Sequence, residues 1–115
     1  MSIEVVSSGL QTTVQDMGRK GWSHMGLPES GAADKFSLKL ANFLINKNLN
    51  SPVLECTLTG PILKFLKPFS LVITGADMKP KINDIDIKMN TVIRAKTNDV
   101  LSLSNCSIGC RSYIA

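Results

Sequence analysis

The sequence predicts a mainly β domain: a small barrel or sandwich with one α-helix covering an opening. Three observations predict it. The second half is a series of short apolar or alternating runs, closely and regularly spaced and each closed by turn residues. A helical period occurs once, after Asp34. With 115 residues, 43% of them hydrophobic, the chain can bury one core but not two, so a single domain over 1–115 is expected.

The elements follow in order. Ile3 to Val6 is short and β-branched and ends at Ser7-Ser8-Gly9, which suits an opening or edge strand. Thr12 to Ala33 holds Gly18, Gly21, Gly26, Gly31 and Pro28, too many breakers for a regular element, and is expected to be a long functional loop. Asp34 is a natural N-cap, and Phe36, Leu40, Phe43 and Leu44 recur at spacings that place them on one helical face. The helix is expected to stop near Asn46, with Asn48, Asn50 and Pro52 supplying the turn.

Val53 to Thr59, Ile62 to Leu66 and Phe69 to Thr74 each read as a strand, separated by Gly60-Pro61 and Lys67-Pro68 and closed by Gly75. Lys81 to Lys88 reads as a tight hairpin turning at Asn83-Asp84. Val92 to Ala95 and Val100 to Leu103 flank a second turn at Thr97-Asn98, and Arg111 to Ala115 is the last strand. The chain stops inside that strand, which fits a sheet edge or a segment of something longer.

The net charge of +4 comes from 13 basic and 9 acidic residues spread along the chain without a Lys/Arg cluster, which disfavours nucleic acid. Cys56, Cys106 and Cys110 leave an odd thiol and no zinc-ligand spacing, so reduced, cytoplasmic cysteines are expected. The N-terminus lacks a cationic leader and an apolar run of signal length, so a soluble, unexported protein is expected.

The densest group of polar and backbone-permissive residues runs Thr13-Val14-Gln15-Asp16-Met17-Gly18-Arg19-Lys20-Gly21, then Gly26-Leu27-Pro28-Glu29-Ser30-Gly31-Ala32-Ala33-Asp34. These motifs resemble the opening of the allophanate hydrolase subunit 2 family, which includes the C component of 5-oxoprolinase, Kip-type kinase-inhibitor antagonists and the carboxyltransferase domain of urea carboxylase and urea amidolyase. The resemblance continues through Leu40-Ala41-Asn42, Leu54-Glu55-Cys56-Thr57, Gly60-Pro61, Thr74-Gly75-Ala76-Asp77 and Gly109-x-Arg111-x-Tyr113. It implies a cyclophilin-like β-barrel and the N-terminal portion of a longer carboxyltransferase-type region, apparently truncated here and unlike a complete enzyme.

The resemblance further implies a component of an ATP-dependent 5-oxoprolinase or of a urea carboxylase or urea amidolyase, acting on a small amide or ureide. An allophanate hydrolase subunit 1-like partner would work with it, and ATP or biotin would be supplied by partner subunits or domains. No phosphate-binding Gly-x-x-x-x-Gly-Lys-Ser/Thr loop and no Met-Lys-Met biotin site occur in the chain itself. A Kip-type regulatory binding module and an inactive fragment are the competing expectations.

Both reactions need a site that holds a planar amide and stabilises negative charge at an attacked carbonyl. Arg19 offers a cationic fork, Gln15 an amide donor and acceptor, Asp16 a base or an orienting group for Arg19, and His24 a side chain that titrates near neutrality. Asp16 and Arg19 could equally pair to shape the loop, and His24 could simply pack within it. Ser30 and Gly31 could present backbone N–H groups to an anion, although a capping Asp34 would occupy the same helix end. Asp77 is a turn-former or a site residue. Glu55 shares a strand face with Thr57 and would need a partner such as Arg111.

Overall fold

A computed structural model describes residues 3–9, 11–15, 34–57, 59–104 and 111–115. Among them the chain forms strands β1 (Ile3–Ser7), β2 (Gln11–Gln15), β3 (Val53–Thr57), β4 (Ile62–Phe65), β5 (Phe69–Leu71) and β6 (Ile73–Gly75). Strands β7 (Lys81–Ile82), β8 (Ile85–Asp86), β9 (Ile93–Ala95), β10 (Val100–Ser102) and β11 (Arg111–Ile114) follow, and the helix α1 (Lys35–Leu44) lies between β2 and β3. The mainly β, single-helix expectation is met.

Five strands join in the order β1-β4-β10-β7-β8, four in the order β2-β3-β11-β6, and β5 pairs with β9. Side chains alternate across a strand, so each sheet offers one face inward. Leu63, Phe65 and Leu101 of the five-stranded sheet meet Cys56, Ile73 and Ile114 of the four-stranded sheet, with Leu71, Met78, Ala95 and Leu103 completing the core. On its other face the four-stranded sheet carries α1, which packs on β6 and β11 through a second, smaller cluster of Leu38, Val53 and Tyr113. The result is three layers, with the four-stranded sheet in the middle.

Two expectations are corrected. The expected loop does not begin at Thr12: Thr12 to Gln15 belong to β2, paired in unbroken antiparallel register with β3 from Gln11↔Thr57 to Gln15↔Val53. Thr12, Thr13 and Val14 are β-branched and suit a pleated surface, and the tertiary partner β3 decides the outcome. Phe69 to Thr74 is not one strand. Val72 separates β5, which pairs with β9, from β6, which pairs with β11, so the chain changes sheets there.

The helix buries a face other than the one its phenylalanines mark. Phe36 and Phe43 stand in solvent at 74% and 70% exposure, whereas Ser37, Leu38, Ala41 and Asn42 are buried. Contacts with the sheet fix this choice. The Thr74 hydroxyl donates to the Ser37 carbonyl at 2.7 Å, and Leu38 packs with Val53 and Tyr113. Asn42 donates from Nδ2 to the carbonyls of Leu49 and Ser51, tying the following turn to the buried side of the helix. Asn46, at φ 62, ends the helix in the left-handed conformation that asparagine tolerates.

Turn chemistry is as expected. Asn83 and Asp84 both have positive φ, 51 and 66, which defines the tight hairpin between β7 and β8, and Asn98 at φ 72 makes the later turn. Gly75 has φ 87, and a Cβ there would lie 2.6 Å from the Arg111 carbonyl oxygen, so the β6–β11 junction requires glycine. No helix among the described residues is long and apolar enough to cross a membrane.

Candidate functional site

The helix-bearing face of the four-stranded sheet is polar where the opposite face is apolar. Strand register places Thr13 beside Glu55, Glu55 beside Tyr113 and Tyr113 beside Thr74, so four side chains form one row across β2, β3, β11 and β6. One row away, Arg111 lies beside Thr57. Alternation along each strand puts all of these on the same face.

Tyr113 is the centre of the group and is fully buried. Its hydroxyl donates to Glu55 Oε2 at 2.8 Å and accepts from the Asp34 backbone N–H at 2.8 Å. Burial, then donation of its proton to the Glu55 carboxylate, pushes the phenol above its usual range, so it stays neutral. Glu55 is 7% exposed and faces Arg111, whose Nε lies 3.7 Å from Glu55 Oε1. Among the described residues that nitrogen is buried without a hydrogen-bond partner, so charge rather than a hydrogen bond holds the pair, and the Arg111 side chain keeps 39% exposure.

Asp34 uses its own carboxylate to cap α1. Oδ1 accepts from the Ser37 N–H at 3.0 Å and Oδ2 accepts from the Ser37 hydroxyl at 2.6 Å. Of the residues expected from sequence, then, Glu55 and Asp34 meet through Tyr113. Gln15 belongs to β2 of the same face and donates from Nε2 to Thr13 Oγ1 at 3.0 Å. Asp77 accepts from the Lys79 N–H at 2.8 Å and lines a different cleft, with Lys79, Lys81, Asp86 and Lys88. Asp16, Arg19, His24, Ser30 and Gly31 lie outside the described residues.

Tyr113, Thr13 and Thr74 were not among the expected site residues. For Tyr113 a signal existed: Arg111 and Tyr113 stand two apart on the last strand, hence on one face, the same face demanded by a buried Glu55 seeking Arg111. Behind the sheet, the buried thiol of Cys56 is pushed up to about 12, chiefly by burial, partly opposed by the Thr12 side chain and reinforced by Glu55. It is therefore no nucleophile at neutral pH. A separate groove of about 240 Å³ is lined by Leu54, Phe65, Phe69 and Ile114 among others, with Lys47 also on its wall. No group of three metal-ligating side chains occurs among the described residues.

Fold and site together define a strand-rich domain whose polar face is organised by a buried acid–phenol pair at a helix N-terminus. A family model for the carboxyltransferase domain, subdomain A and B, matches residues 25–115, and the chain belongs to that family. The urea amidolyase of Lachancea kluyveri is 37% identical over 115 residues, covering 99% of this chain and 6% of that protein. The C component of the Escherichia coli 5-oxoprolinase is 32% identical over 113 residues, covering 98% of this chain and 36% of that protein. In the crystal structure of the K. lactis urea amidolyase a region 38% identical superposes with a TM-score of 0.95, covering 99% of this chain and 7% of that one. The chain thus spans well under half the length of each of these relatives.

Proposed function

We propose that this chain is a component of a urea amidolyase- or 5-oxoprolinase-type enzyme, acting on a small amide or ureide together with an allophanate hydrolase subunit 1-like partner. ATP or biotin chemistry is supplied by partner subunits or domains, and the present chain contributes substrate recognition. The observation that carries this is that Gln15 and Asp34, the described residues on either side of 16–33, are both held at the polar face. Gln15 leaves from the polar face of β2, and Asp34 returns to the same face, its N–H held by Tyr113 and through it by Glu55.

That segment contains Asp16, Arg19, His24, Ser30 and Gly31, the residue types suited to a planar amide and its developing negative charge. Arg19 supplies the cationic fork and Gln15 the amide contacts, while Glu55 with Tyr113 holds Asp34. Calorimetric titration of 5-oxoproline, urea and ATP, into the chain alone and mixed with the subunit 1-like partner, tests the proposal. Binding of one of them, weakened about 10-fold or more by Arg19→Ala, is the expected result. Heats unaffected by Arg19→Ala, or absent under both conditions, would overturn it.

A further inference from the structure

We infer that the outward face of α1 is a docking ridge for a protein partner presenting an apolar groove rimmed with carboxylates. Phe36 and Phe43 are the most exposed aromatic residues on the described surface, at 74% and 70%. Seven residues apart, they stand two helical turns from one another on one side, about 10 Å along the axis, with the half-buried Leu40 between them. Scattered single apolar residues on a surface, such as Ile85 in the β7–β8 hairpin, are ordinary; a pair of phenylalanines aligned on one rigid helix is not.

Charge identifies the occupant. Lys39 is exposed on the same side of the helix, and from Lys35 to Leu54 the sequence contains three lysines and no acidic residue. The nearest carboxylate in sequence, Asp34, is engaged in capping the helix. A second copy of the chain would therefore set Lys39 against Lys39, whereas an acidic rim would complement it. The ridge is also preorganised. Tyr113 holds the Asp34 N–H, Thr74 holds the Ser37 carbonyl and Asn42 holds the turn beyond the helix, so docking would order little that is not already fixed.

The test rests on the reading of the chain as an enzyme component, because its probe is the allophanate hydrolase subunit 1-like protein of the same organism. Binding is measured by surface plasmon resonance at low and high salt, with wild type, Phe36→Ser/Phe43→Ser and Lys39→Glu. The double variant is expected to weaken binding about 30-fold or more. Lys39→Glu is expected to weaken it and flatten its salt dependence. Circular dichroism and thermal melting should match wild type, since both phenylalanines already stand in solvent.

Wild-type binding that both variants retain would overturn the ridge and leave the component reading standing. Absence of wild-type binding would overturn both. Sedimentation showing self-association, or flotation with phosphatidylglycerol vesicles, that the double variant abolishes would assign the ridge to a second copy or to lipid and overturn the proposal.

Discussion

Tyr113 shows how one buried side chain can join three elements. It belongs to β11, donates to Glu55 of β3 and accepts from the residue that caps α1. A phenol suits this position because its ring fills the cluster with Leu38 and Val53 while its hydroxyl both donates and accepts. Tyr113→Phe keeps the ring and removes both hydrogen bonds. It should lower stability by about 1–3 kcal/mol, because a donor is taken from a buried carboxylate and an acceptor from a backbone N–H. Urea unfolding followed by circular dichroism measures this; a midpoint equal to wild type would show that the bridge contributes nothing.

The same residue-level logic makes Arg111 different from an ordinary surface arginine. Glu55 lies near its Nε without hydrogen-bonding it, so the guanidinium is biased in direction by charge but not locked.

At the scale of the element, α1 is the instructive case. Ten residues are too few for a stable isolated helix in water, so its existence depends on capping and on tertiary contact. Asp34 supplies the cap through both carboxylate oxygens. Asp34→Ala should cost about 0.5–2 kcal/mol, and in hydrogen exchange the loss of protection should concentrate in α1 rather than in β3 or β11. Equal loss across the strands would instead mean that the helix and sheet open as one unit.

Strand elements were more legible than the helix face. Asn83-Asp84 and Thr97-Asn98 were recognisable as turns because few residues accept positive φ, and both turns form where the residue types place them. Asn83 and Asp99 also clamp these two turns together, with Asn83 Nδ2 donating to Asp99 Oδ1 at 2.9 Å. Strand β2 was less legible, since its polar residues run directly into the glycine-rich stretch and only pairing with β3 distinguishes it from loop.

At the scale of the whole molecule, the middle sheet has one face in the apolar core and the other under the helix, and each face buries a titratable group. Cys56 and Tyr113 both hold their protons more tightly in the folded state than their ordinary values of 9.0 and 10.0. The folded state therefore binds more protons than the unfolded state at alkaline pH, and stability falls as pH rises. Full stability from these two groups should persist below about pH 9 and decline above it, toward the Cys56 value of about 12. Denaturation midpoints from pH 7 to 11 measure this, and Cys56→Ala should reduce the slope. Iodoacetamide at pH 8 should leave Cys56 unmodified until the chain unfolds, and rapid labelling of the folded protein would refute its protected state.

What the sequence by itself determined is what depends on local residue chemistry. The mainly β class, the single helix with its Asp34 cap, the asparagine turns and the family motifs all rest on short-range periodicity, φ preference or residue order. Glu55's need for a partner such as Arg111 could also be anticipated, because a buried acid must be compensated. Tertiary structure alone decided which helix face is buried, where the chain between Phe69 and Gly75 changes sheets, and that Tyr113 joins Glu55 to Asp34. These are outcomes of long-range packing: Phe36 and Phe43 are apolar enough for burial, yet the helix turns Ser37, Leu38, Ala41 and Asn42 to the sheet, where Thr74 bonds the Ser37 carbonyl. Hydrophobic spacing reports which residues favour burial, and only the shape and hydrogen bonds of the opposing surface decide which of them obtain it.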